Sequence, residues 1–218
     1  MSSSTINSLS LVVPLIISVI LHELAHGYAA KLLGDDSAKK HGRLTFNPIA
    51  HADILGTIVI PLLLFAAGSP VLFGWAKPMP VDFSKLKLKF SMALVCAAGP
   101  FLNLFLAFAA AYFVMFGNLV PDNDWRSFYI FSLVNMVNIN LILMFFNLIP
   151  IPPLDGSRIL HDFLPSKVAE DYFRLEKYGF GMLFFLLFVL PILGVDILGI
   201  YLNNTVKFTA EFLFGLFK

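Results

Sequence analysis

The amino-acid sequence predicts an all-α polytopic membrane protein. It should hold about four to six transmembrane helices at about 20 residues each. A small re-entrant or β-hairpin element is expected between the first helix and the one carrying Gly99-Pro100-Phe101-Leu102-Asn103. Two observations predict this. Of 218 residues 58% are hydrophobic and only 13% charged, with 24 Phe and a mean hydropathy of +0.83. An ordinary soluble domain is near half apolar and a quarter charged, and much of its surface must face water. The apolar residues also gather in runs of spanning length. A soluble domain and a disordered chain are thereby excluded. A net charge of +1 offers no field for phosphates, so nucleic acid is not a partner. The single Cys96 excludes a disulfide scaffold.

The runs follow in order. Residues 1–7 carry no cation, so a cleaved secretory leader is not expected. Leu9–Ala30 is apolar enough to span. Ile54–Gly68 is short for a crossing and reads as one arm of a re-entrant hairpin, since non-helical backbone at membrane depth needs protein or a cavity around it. Its flanks, Arg43–Asn47 and Val71–Val81, look extended and suggest a small sheet. Met92–Gly117, Phe128–Ile149 and Tyr178–Leu193 are further spans. Ile197–Phe217, broken by Asn203, Asn204, Lys207 and Glu211, reads as a partial span or an interfacial amphipathic helix.

Twelve of the 15 Lys and Arg lie in three blocks: residues 31–43, 77–89 and 158–177. One assignment makes all three cytoplasmic. The N-terminus is then outside, the first span runs inward, Met92–Gly117 outward, Phe128–Ile149 inward and the next outward. No inverted repeat is visible, which argues against a transporter.

Ionisable side chains inside a span are costly and therefore functional candidates. The first span ends on His22-Glu23-Leu24-Ala25-His26. On a helix His22 and His26 share one face and can hold one Zn²⁺, with Glu23 placed to act as general base. A third ligand is needed. The candidates are His41, His51, His161 and, preferred, Asp155, in a proline-broken stretch Asn147–Gly156 that cannot continue a helix. Asp155 has a rival role as cap of the helix Ser157–Phe163. Asn103, Asn147 and His51 are candidates for substrate binding or oxyanion stabilisation. Asn103 has the alternatives of supporting the metal or of bonding between helices. Asn135, Asn138 and Asn140 pair between helices or line a water path.

The motif His22–His26, then Gly99-Pro100-x-x-Asn103, then Asn147–Gly156 ending Pro-Pro-Leu-Asp-Gly, closely resembles the site-2 protease family of intramembrane zinc metalloproteases. Gly42–Pro48 and Gly74–Val81 are similar to its compact prokaryotic branch without a PDZ domain. The resemblance covers about residues 10–180. It implies one Zn²⁺ per chain held by His22, His26 and Asp155, with Glu23 as catalytic acid and base, near the cytoplasmic face of a prokaryotic cell membrane. It also implies a transmembrane protein substrate within the lipid bilayer, and leaves room for a regulatory membrane partner. Residues 1–218 then form a single membrane metalloprotease domain with a core of 10–180 and peripheral helices in 178–218. Where the segment after His51 in that branch has an Asp-Pro pair before a Gly, this chain reads His51-Ala-Asp53-Ile-Leu-Gly56, without the proline. The alternative function is a zinc-binding membrane scaffold or metal-handling protein without proteolysis.

Overall fold

The computed structural model describes residues 3–68 and 73–217. Seven helices organise it: α1 (Ser3–Leu32), α2 (Ile54–Ala66), α3 (Ser91–Val114), α4 (Asp124–Asn147), α5 (Asp155–Phe163), α6 (Ser166–Ile192) and α7 (Ile197–Gly215). Single helical turns at Ser37–Lys40 and Pro48–His51 lie between α1 and α2. Among the described residues, four helices are long and apolar enough to cross a membrane: α1, α3 with its 3₁₀ extension to Leu119, α4 and α6. The bundle presents its apolar side chains outward, with Phe101 and Phe105 on α3 and Phe184 on α6 all exposed. Such faces suit lipid rather than water. The protein is a multi-pass integral membrane protein.

Helices α1, α3 and α4 pack against one another and form the centre. Small residues allow the approach. Ala107, Ala110 and Ala111 of α3 are buried against Val137 and Leu141 of α4. Helix α7 closes this cluster with Val206, Ala210 and Leu213. Pro14 inside α1 cannot donate to the Ser10 carbonyl one turn earlier. Asn135 Nδ2 of α4 donates to that carbonyl instead, at 3.0 Å. The break in α1 is thereby repaired from its neighbour.

The expected β-hairpin does not form. The described residues contain no strand. Residues 69–72, where the second flank opens, lie outside the described residues. The remainder, residues 73–82, is extended but pairs with no strand. Trp75 N–H donates to Gly56 O at 3.2 Å, Lys77 N–H to His51 O at 2.9 Å, and Arg43 Nη2 to Lys77 O at 2.7 Å. Pro78 and Pro80 remove donors that a ladder would need. On the first flank, Thr45 O is taken by His51 Nε2 at 2.8 Å, and Asn47 caps the turn after it. Backbone groups that alternation assigns to a sheet are thus bound to side chains and helix ends.

Ile54–Gly68 is helical over Ile54–Ala66, opening with six residues of π geometry. That is too short to cross, at 1.5 Å per residue. Asp53 caps it by accepting from Gly56 N–H at 2.7 Å, so the turn forms without a proline after Asp53. The stretch Tyr178–Leu193 belongs to a longer helix. Its first turns, Ser166–Phe173, carry the charges of a cationic block and so do not read as a span.

Candidate metal centre

His22 and His26 lie one turn apart in α1 and are both buried. Their Nε2 atoms are 3.1 Å apart, and each is 3.3 Å from Asp155 Oδ2. Among the described residues these three side chains form the one group able to hold a metal ion. A tetrahedral centre at about 2.0–2.1 Å from its ligands has an edge of about 3.3–3.4 Å. The three donor atoms already stand close to that separation.

The outer nitrogens fix the tautomers. His22 Nδ1 lies 2.6 Å from Asn103 Oδ1 and His26 Nδ1 lies 2.8 Å from Val95 O. Both partners are acceptors, so each Nδ1 carries its proton and each Nε2 turns a lone pair inward. Asp155 Oδ2 is buried and receives no hydrogen bond from the described residues. Three lone-pair atoms therefore converge with no proton donor among them. Such a cluster is costly unless a cation sits between its members.

A buried polar chain sets the orientation of His22. Asn103 Nδ2 donates to Asn140 Oδ1 at 2.8 Å, and Asn140 Nδ2 donates to Ser18 Oγ at 2.8 Å and to Met136 O at 2.8 Å. Asn103, Asn140 and Ser18 are each 0% exposed. The chain returns to α1 one turn before His22. Every amide has its direction set by the next, so the carboxamide oxygen of Asn103 must face the imidazole. Asn103 thus bonds between helices and to His22 at once. The sequence singled out Asn103 but not Asn140 or Ser18 in this role, because an Asn in a span has several equivalent uses.

Gly99 makes the approach of α1 to α3 possible. A Cβ there would stand 2.5 Å from His26 Nε2 and 2.6 Å from His22 Cε1. Asp155 is brought in by α5, which begins at Asp155 itself with no side-chain cap. Asp162 of α5 accepts from Ala93 N–H at the start of α3, at 2.9 Å. Arg158 pairs with Glu176 at 2.9 Å. These contacts lock α5 onto α3 and α6. Gly156 lies so close under the Leu148 and Ile149 carbonyls that a Cβ has no room.

Glu23 is half-buried, and its Oε2 accepts from Met79 N–H at 2.7 Å. Met79 packs with Ile20, Leu24 and Ala38, so the extended segment lies along α1 beside the cluster. No sequence signal foretold this contact. His51 and Asn147 stand apart from it. His51 is buried, bound through Nε2 to Thr45 O, and its Nδ1 has no partner among the described residues. Asn147 Nδ2 donates to Leu143 O of its own helix at 2.9 Å. His41 and His161 do not join the cluster either.

A convergent His, His and Asp set inside a polytopic helical bundle defines a membrane metalloprotein, and comparison with known proteins narrows the class. Residues 119–190 match the model of "Peptidase family M50". The chain is 44% identical over 201 residues to a Bacillus subtilis protein named "Putative zinc metalloprotease YwhC", covering 88% of this chain and 85% of the relative. It is 26% identical over 166 residues to a Mycolicibacterium smegmatis protein and 27% identical over 181 residues to a Mycobacterium tuberculosis protein, both carrying the same description with the name Rip2. The chain covers 76% and 82% of itself in these matches, but only 61% and 66% of those relatives. No solved structure matches it. The chain belongs to peptidase family M50, the site-2 protease family. It is a zinc metalloendopeptidase.

Proposed function

We propose that this metalloendopeptidase hydrolyses transmembrane or membrane-associated proteins inside the bilayer, with His22, His26 and Asp155 holding one zinc ion per chain and Glu23 serving as acid and base. The observation that carries the reading is the near-equilateral triangle of inward-facing donor atoms, with Glu23 on the same helix one residue from His22. Zinc held there would supply Lewis acidity and bring the pKa of water down to about 7. Glu23 would take a proton from the attacking water and return it to the leaving amine nitrogen. Until substrate arrives its carboxylate is held by Met79 N–H, which keeps the base aimed along the segment 76–81. The His22–Asn103–Asn140–Ser18 chain keeps the donor lone pair fixed throughout.

A transmembrane substrate must unwind before its carbonyl can be attacked, because its amides are already paired. His51 Nδ1 and the Asn147 carboxamide are the polar groups we assign to receiving the unwound backbone. The cationic blocks support an N-terminus outside and a site near the cytoplasmic face, and the resemblance to the compact branch supports a prokaryotic cell membrane. Residues 1–218 act as one membrane metalloprotease domain. The non-proteolytic scaffold has no support in the comparisons. The test is cleavage of a model transmembrane substrate by purified protein in liposomes. Wild type cleaves it and Glu23→Gln does not; equal activity of the two would refute the mechanism.

A further inference from the structure

Away from the metal cluster, a cleft of about 440 Å³ runs between α4 and α7 on the outside of the bundle. Its lining includes Asn138 and Ile142 from α4, and Asn203, Lys207 and Glu211 from α7. Asn203, Lys207 and Glu211 follow at four-residue intervals and so share one helical face. All three are exposed.

This face lies at bilayer depth. Near the start of α7, Tyr201 meets Phe145, one turn from the metal end of α4, at 6.4 Å between rings. Just past its end, Phe217 meets Phe108 and Tyr112 in the far half of α3, at 5.2 and 5.3 Å. Between these levels Val206, Ala210 and Leu213 are buried against the middle of α3 and α4. Helix α7 has 19 residues, about 28 Å at 1.5 Å per residue, close to the hydrocarbon thickness. Lys207 and Glu211 sit in its second half, between apolar levels on either side. No hydrogen bond or ion pair engages either of them, nor Asn138 or Asn203, among the described residues. A lysine and a glutamate facing lipid without partners are costly, and their presence calls for an occupant.

We propose that the α4–α7 groove is the interface through which two copies of this chain pair side by side in the membrane, Lys207 of each copy meeting Glu211 of the other. The charges on the face are self-complementary: one cation and one anion, a single turn apart, with no net charge. Two copies related by a two-fold axis along the bilayer normal stand at equal height. Lys207 of one is then about 6 Å in height from Glu211 of the other, within reach of the lysine stem. Asn138 and Asn203 fit the same occupant, because an amide carries both donor and acceptor and can pair with its own copy. A foreign segment would need an acid and a base at matched heights, which a second copy supplies by construction.

The experiment uses the full chain in nanodiscs, co-expressed with two different tags, and reads co-purification. Wild-type copies associate. Lys207→Glu alone and Glu211→Lys alone each lower association by about tenfold or more. Co-expressing the Lys207→Glu chain with the Glu211→Lys chain restores it, because one then carries two acids and the other two bases. Zinc content and cleavage of a reporter check that each variant is folded. Wild type found as single copies would overturn the proposal. So would single reversals that associate like wild type, and so would reversals that change cleavage with association unaltered, which would give the groove to substrate.

Discussion

The metal cluster and the α4–α7 groove are two polar regions in one apolar bundle, and they handle polarity in opposite ways. In the cluster, each amide between His22 and Ser18 is spoken for, and only the inward-facing donor atoms of His22, His26 and Asp155 lack a proton. In the groove, Lys207, Glu211 and Asn203 have no partners among the described residues. A polar group at membrane depth is tolerated when something answers it. In the first region the answer we propose is a metal ion, and in the second another protein surface. The comparison breaks if variants in one region disturb the other.

The largest effect is expected at Gly99. In Gly99→Val the new side chain meets both imidazoles, and α1 must move away from α3. Zinc content measured on purified protein falls below one tenth of wild type, by about 1.4 kcal/mol or more of binding free energy. The double variant Lys207→Leu and Glu211→Leu leaves zinc content unchanged. Next comes Asn140→Leu, which frees the Asn103 amide to rotate away from His22. Zinc affinity falls by about 10–100-fold in chelator competition, although Asn140 touches no metal ligand. An unchanged affinity would make Asn140 a packing residue only.

A smaller effect lies in the clip that holds the segment 76–82 against α1. Asp35 is 0% exposed and accepts from Ser37 Oγ at 2.6 Å and from Asp82 N–H at 2.8 Å. Burial opposes its ionisation, but the Ser37 and Asp82 hydrogen bonds and the Lys85 charge outweigh it and hold the carboxyl below its usual range. Lys85 first, and then Ser84, hold Asp82 down to about 2. Both folded values are lowered, so the stabilisation is fully present above the ordinary carboxylate pKa of about 4 and is lost as pH falls below it. The protection of the Asp82 amide, its hydrogen-exchange rate corrected for the intrinsic pH dependence, should be flat from neutral pH to about 4 and fall below that. Asp35→Asn should show the faster exchange already at neutral pH. The smallest effect is at Asn135→Leu, which reopens the gap at Pro14. Stability falls by about 0.6–2 kcal/mol in thermal unfolding, with zinc content unchanged.

The two regions were not equally legible. His22-Glu23-x-x-His26 could be read directly, because the four-residue interval on a helix permits few other chemistries. Asp155 needed the family resemblance, since its cost in a proline-broken stretch fits a cap as well as a ligand. Gly99 and Asn103 were visible as a pair, but the chain onward to Asn140 and Ser18 was not: it depends on the rotation of α4 against α1, which no local pattern encodes. The β-hairpin failed for a related reason. Alternation in Arg43–Asn47 and the β-rich residues around Trp75 state a preference for extended backbone, not a partner for it. The partners turned out to be His51, Arg43 and Glu23. Charges in Ser166–Phe173 likewise hid the start of α6, because hydropathy reports burial in lipid rather than helix formation.

The central claim is that ligands and base are separate residues around one ion. Zinc stoichiometry on wild type, Glu23→Gln and Asp155→Ala, with substrate cleavage read on the same preparations, tests it most directly. We predict one zinc per chain in wild type and in Glu23→Gln, cleavage in wild type alone, and zinc lost from Asp155→Ala. Zinc retained in full by Asp155→Ala, or cleavage retained by Glu23→Gln, would contradict it.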